Sequence, residues 1–121
     1  MIFNKFMTND STNYIDFFDN DSYMIIKFKE DLTSQNLQEI YNIFYDYNSN
    51  HNFNSCCYFI FDFTGIEKID YKGLLFLISL TKSFAVNTLL DFVIKKDQKI
   101  INIFRVIDYF QKFDIKESFN Y

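Results

Sequence analysis

Asp62, Glu67 and Asp70 lie close together near the middle of a 121-residue chain. Paired carboxylates at short spacing can do general acid–base work when their surroundings push their proton affinities apart. Asp70, however, opens a helical pattern. Its carboxylate suits the N-cap, where it accepts a first-turn backbone N–H at the positive end of the helix dipole. Asp62 stands at the carboxyl end of an apolar strand and reads as an acceptor that anchors the following loop. Catalysis by this set is therefore not the favoured reading.

The other reactive residue types are sparse. His51 is the only histidine and sits in a run of asparagines, NSNHNFNS, with neither a nucleophile nor a metal-ligand partner near it in sequence. The two cysteines, Cys56 and Cys57, are adjacent. A disulfide between neighbours is strained and two thiols make no metal cage, so they read as small apolar residues entering the core. Two glycines cannot build a phosphate-cradling loop, and no Gly-x-Ser-x-Gly elbow is present. The expectation is a protein that is not an enzyme, with no cofactor and no metal.

The elements around these residues are legible. Tyr58–Phe63 reads as a buried strand, with Phe59, Ile60 and Phe61 apolar in succession, as in a strand covered on both faces. Thr64–Ile69 is a short loop, and a helix is predicted from Asp70 to about Phe84. A strand leading directly into a capped helix is the unit of an α/β sheet, and the junction is where such folds place their sites.

Upstream, Met1–Thr12 reads as an edge strand or a tail. Tyr14–Phe18 and Ser22–Lys29 flank Asp19-Asn20-Asp21 and predict a hairpin. A first helix follows, capped by Thr33 or Ser34. Leu37, Ile40, Tyr41, Phe44 and Tyr47 form its apolar stripe, and it dissolves in the polar loop Asn48–Ser55. Downstream, Ala85–Thr88 turns the chain and Leu89–Ile94 makes another strand. Lys99–Phe113 carries a third amphipathic helix, and Asp114–Tyr121 has room for a short last strand. The order ββαβαβα predicts one α/β domain: a mixed, mostly parallel sheet of about four or five strands carrying three or more helices.

Composition bounds the partners. The chain is 49% apolar and 21% aromatic, with 17 Phe and 9 Tyr, so its core is bulky and aromatic. The net charge of −4 disfavours nucleic acid or an anionic lipid surface. No segment approaches the roughly 18 uninterrupted apolar residues of a membrane span, and MIFNKFMTND lacks the pattern of a cleavable leader. A cytoplasmic protein without direct membrane insertion is expected.

On the helix begun by Asp70, Leu74, Leu77, Ile78, Thr81, Phe84 and Ala85 share the face predicted to meet the sheet. Lys72, Leu75, Phe76, Ser79, Lys82 and Ser83 lie opposite. Leu75 and Phe76 are thus expected to face outward in a polar and basic rim, either covered by a neighbouring loop or the N-terminal tail or forming a partner-binding patch. Self-association into a homodimer through this patch is a further expectation.

The segment FDFTGIEKIDYKGLLFLI, Phe61 to Ile78, resembles the STAS domain, the fold of bacterial anti-sigma-factor antagonists. In that family a strand runs into Asp-Leu/Phe-Ser/Thr, and Asp-Ser-Ser-Gly then opens a helix. FKEDL at Phe28–Leu32 stands where the family has a Gly-Glu-Leu-Asp turn. LLDFVIKK and IINIFRVIDYFQKF match its later strand and last helix. The likeness runs from about Tyr14 onward.

The resemblance implies a partner-switching module that is not an enzyme. In such modules a kinase phosphorylates the first Ser of the motif, and the added charge exchanges the bound partner. Here the two Ser positions are Tyr71 and Lys72, so a serine kinase has no acceptor. The implied function is a signal-transduction module that binds an anti-sigma factor or kinase-like protein without the serine switch. Asp70, Tyr71, Lys72, Leu75, Phe76, Ser79 and Lys82 are the expected contact residues. The alternatives are a STAS subunit docking on the ATPase of a lipid-transport ABC system and, less favoured, a small nucleotide-binding domain or enzyme.

Overall fold

The computed structural model describes residues 8–19, 22–51, 58–84, 89–95, 98–105 and 114–116. In chain order the elements are strands β1 (Thr8–Ser11), β2 (Ile15–Asp19) and β3 (Met24–Phe28), then helix α1 (Leu37–His51). Strand β4 (Tyr58–Asp62), helix α2 (Tyr71–Phe84) and strand β5 (Leu89–Val93) follow. Residues 101–105 are helical, and β6 (Asp114–Lys116) comes last.

The fold is α/β, with a mixed sheet in the order β1-β2-β3-β4-β5-β6. The pairs β1–β2 and β2–β3 are antiparallel, and the other three are parallel. Six strands stand where about four or five were expected. β1 arises from the ambiguous N-terminal stretch and β6 from the C-terminal tail. The first turn is held by Thr12, whose hydroxyl donates to the Ile15 carbonyl (2.7 Å) and accepts the amides of Tyr14 and Ile15. Such a hydroxyl closes a tight turn without glycine.

Strand alternation sorts the side chains. Ile15, Phe17, Met24, Ile26, Phe28, Phe59, Phe61, Phe63, Phe92 and Ile94 belong to one buried cluster that also takes up Ile40, Phe44 and Tyr47 of α1 and Leu77 and Leu80 of α2. Its rings interlock: Phe17 stacks on Tyr47 at 3.8 Å, and Phe28 on Phe63 at 5.0 Å. Aromatic pairs of this kind add about 0.5–1.5 kcal/mol each beyond the area they bury. On the other face Ile25, Ile60 and Val93 are fully buried, beside Asp62 and Asp91. The Tyr58 hydroxyl donates to the Asp91 carboxylate, which gives that buried charge a partner.

Helix α1 departs from the sequence reading in three ways. Leu37, rather than a residue at 34 or 35, begins it, so Asn36 is the residue preceding the helix instead of Thr33 or Ser34. The Thr33 carbonyl accepts the amides of Asn36 and Leu37 in the turn before it. Tyr41, expected in the apolar stripe, is 57% exposed. The helix also runs through Asn48, Ser49 and Asn50 to His51 instead of dissolving at Asn48. Tyr47 is anchored on Phe17, and Ser49 donates its hydroxyl to the Tyr45 carbonyl one turn back. The tertiary stack of Tyr47 carries the helix past residues of poor intrinsic propensity, while the Ser49 hydroxyl finds its acceptor within the helix. Asn20, Asp21, Asn52–Ser55, Cys56, Cys57, Ala85–Thr88 and the later part of the third predicted helix lie outside the described residues.

Candidate functional site

The loops after β3, β4 and β5 meet at the carboxyl edge of the parallel strands, the edge where open α/β sheets bind ligands. Here the loops are stitched together by carboxylates. Asp31, after β3, accepts the amides of Glu67 (2.7 Å) and Lys68 (3.1 Å) from the loop after β4. Asp70 answers in the opposite direction, accepting the Ser34 amide at 2.8 Å. Between them Leu32 and Ile69 form a parallel bridge, with Leu32 donating to the Lys68 carbonyl and Asp70 donating to that of Leu32. Each loop's aspartate thus satisfies backbone donors of the other. Gln98 ties in the third loop by donating to the carbonyls of Phe63 (3.1 Å) and Ile66 (2.9 Å).

Asp70 caps α2, accepting the Gly73 amide at 2.9 Å. The hydrogen bonds from Gly73 and then Ser34 hold its carboxyl below the usual carboxylate range, against a small opposing effect of burial. Asp62 anchors its own loop, accepting the Thr64 amide (2.9 Å) and hydroxyl (2.7 Å). The three carboxylates that opened the chemical question are thus drawn to different tasks: Asp62 to its loop, Asp70 to the start of α2 and the turn before α1, and Glu67 to an exposed position. Among the described residues no three His, Cys, Asp or Glu side chains form a metal-holding group. No helix among them is long and apolar enough to cross a membrane.

Gly73 sets how α2 sits. A Cβ at this position would stand 1.9 Å from the Leu32 carbonyl oxygen. Only glycine permits that approach, and it rolls the buried arc of the helix onto Gly73, Leu77 and Leu80. The expected inner face is corrected accordingly. Leu77 is buried, while Leu74 and Ile78 are half-buried at its flank, and Leu80 is buried although it was not assigned to that face. The side chains of Thr81 and Phe84, and Ala85, lie outside the described residues.

The expected contact residues divide. Tyr71 (73% exposed), Lys72, Leu75 (47% exposed), Ser79 and Lys82 face solvent. Phe76 does not. It is half-buried, with its ring edge-on to Phe28 and Phe44 at 6.4 Å and near Tyr41 at 6.2 Å, so it fills the seam between α1 and α2. Helical periodicity placed Phe76 outward because it took Leu74 and Ile78, not Gly73 and Leu80, as the inner edge. Asp31 and Gln98 carry no local signal, since their partners are distant in sequence. Gly73 did carry one: a glycine inside a helical pattern often marks a close approach.

No protein-family model matches the chain, and no curated protein matches it.

Proposed function

We propose that this chain is a cytoplasmic, non-catalytic interaction module of the STAS kind that binds a protein partner, an anti-sigma factor or kinase-like protein, through the start of α2 and without a serine phospho-switch. The observation that carries the reading is the pairing of a rigid seat with a greasy, exposed surface. Asp70 and Gly73 fix the first turn of α2 against the loop after β3. On that fixed turn, Tyr71 and Leu75 stand one helical turn apart and open to solvent, beside Lys72. Preorganised apolar side chains with a polar rim lower the cost of association. The motif position that would take a phosphate is Tyr71-Lys72.

Affinity capture from the source organism, using the wild-type chain and Leu75→Asp side by side, tests this. A kinase-like or anti-sigma partner held by the wild type and lost by the variant is the expected result. Incubating the recovered complex with ATP should leave the chain unphosphorylated on serine. Equal recovery by both proteins would refute the assigned surface.

A further inference from the structure

We propose that the partner surface extends beyond α2 across Phe76 onto Tyr41 and Tyr45 of α1, and that it receives an acidic amphipathic helix of the partner protein. The inference rests on the reading above and specifies its partner. Five large apolar or aromatic residues are well exposed among those described. Four of them lie on α1 and α2: Tyr41, Tyr45 (67% exposed), Tyr71 and Leu75. Phe76 joins the two groups, since its ring meets Tyr41 in the seam. Tyr41 and Tyr45 are one helical turn apart and both exposed, so they continue the stripe along α1. Tyrosines suit such a surface because they offer a large apolar face and a polar tip at low entropic cost.

Charge selects the occupant. The chain carries 16 acidic and 12 basic residues, yet α2 contains no carboxylate. Its exposed charged residues are Lys72 and Lys82, at opposite ends of the exposed ridge; the exposed carboxylates of α1, Glu39 and Asp46, lie about 160° and about 140° round that helix from Tyr41, so the charges bordering the seam are the lysines. A helix laid along the seam would place its apolar stripe on Tyr41, Phe76 and Leu75 and its acidic flank by the lysines. This is the helix-in-groove mode with electrostatic selection added.

The test is a nuclear magnetic resonance titration of the full chain with two designed helical peptides. They share one apolar stripe and carry either glutamates or lysines on the flanks. The Glu-rich peptide is expected to shift the amides of Tyr41, Tyr45, Tyr71, Lys72, Leu75 and Phe76, with affinity falling as salt rises. Tyr41→Ala/Tyr45→Ala should weaken it about tenfold with the melting temperature held, and Lys72→Glu/Lys82→Glu should reverse the peptide preference. Shifts confined to α2 would overturn the extension onto α1 and leave the α2 surface standing. Shifts on neither helix would remove both. Equal binding of the two peptides, or Glu-rich binding weaker than about 1 mM, overturns the acidic assignment. Concentration-dependent dimerisation lost in the double tyrosine variant would make the occupant a second copy and overturn it as well.

Discussion

Gly73→Ala should destabilise the protein, although alanine is the better helix former by about 1 kcal/mol in a helix interior. The new methyl would lie 1.9 Å from the Leu32 carbonyl oxygen, 2.9 Å from its carbon and 3.0 Å from Cγ2 of Ile69. Helix or loop must therefore retreat by roughly 1 Å, and the obstacle is backbone held in a bridge, not a side chain able to rotate away. Overpacking against such an obstacle costs about 3 kcal/mol or more. Set against the gain in propensity, the net loss is about 2 kcal/mol, or a fall of about 6–10 °C in melting temperature for a domain of this size. Urea unfolding followed by circular dichroism reads it as a lower midpoint at unchanged slope. Gly65→Ala is the control. Its Cβ would meet only the Phe28 carbonyl oxygen at 3.2 Å and the Lys29 Cα at 4.0 Å, so it should stay within about 1 kcal/mol of wild type. A Gly73→Ala protein as stable as the wild type would refute the seating of α2 on Leu32, and with it the fixed surface on which the functional reading stands.

Phe76→Ala should cost about 2–3 kcal/mol because the ring fills the seam between α1 and α2, whereas Leu75→Asp should change stability by less than about 1 kcal/mol; similar urea midpoints for the two would contradict that division. Asp70→Asn should lower the urea midpoint at neutral pH. Hydrogen bonding holds the folded carboxyl below its unfolded value, so the wild type keeps this contribution above about pH 4 and loses it as pH falls through the folded value. The gap between the two proteins should narrow as pH falls below about 4 and close once it is below the folded value, and a constant gap would sink the assignment. Gln98→Leu should cost about 1–3 kcal/mol by leaving the carbonyls of Phe63 and Ile66 short of a donor, with faster amide exchange at residues 63–66 as the local readout.

What the sequence made legible is what local physics decides. The apolar run at Tyr58 became a central strand, and Asp70 capped the helix that follows it. Both signals are complete within a few residues. What it hid depends on partners far along the chain. Asp31 is 36 and 37 residues from the amides it accepts, and Gln98 is more than 30 from its two carbonyls. The end of α1 was misplaced because Asn48–Asn50 are poor helix formers, and the Tyr47–Phe17 stack that holds them is a tertiary contact. Phe76 was misplaced for a related reason. Periodicity counts a glycine as neutral, but the close approach of Gly73 to the Leu32 carbonyl turns that side of α2 inward.

That closeness bears on how the surface works in the proposed module. The positive end of α2 already holds a carboxylate, since Asp70 takes the Gly73 amide with one oxygen and the Ser34 amide with the other. Displacing Asp70 would loosen the turn that leads into α1, because the same carboxylate accepts the Ser34 amide in that turn. The aspartate and glycine of the motif are kept here, so what favours constant binding over exchange in the proposed module is the loss of both serines, replaced by Tyr71 and Lys72. Its control would then lie with the partner's supply or charge. Phosphorylating residues on an acidic partner helix would strengthen its attraction to Lys72 and Lys82 and leave this chain unaltered.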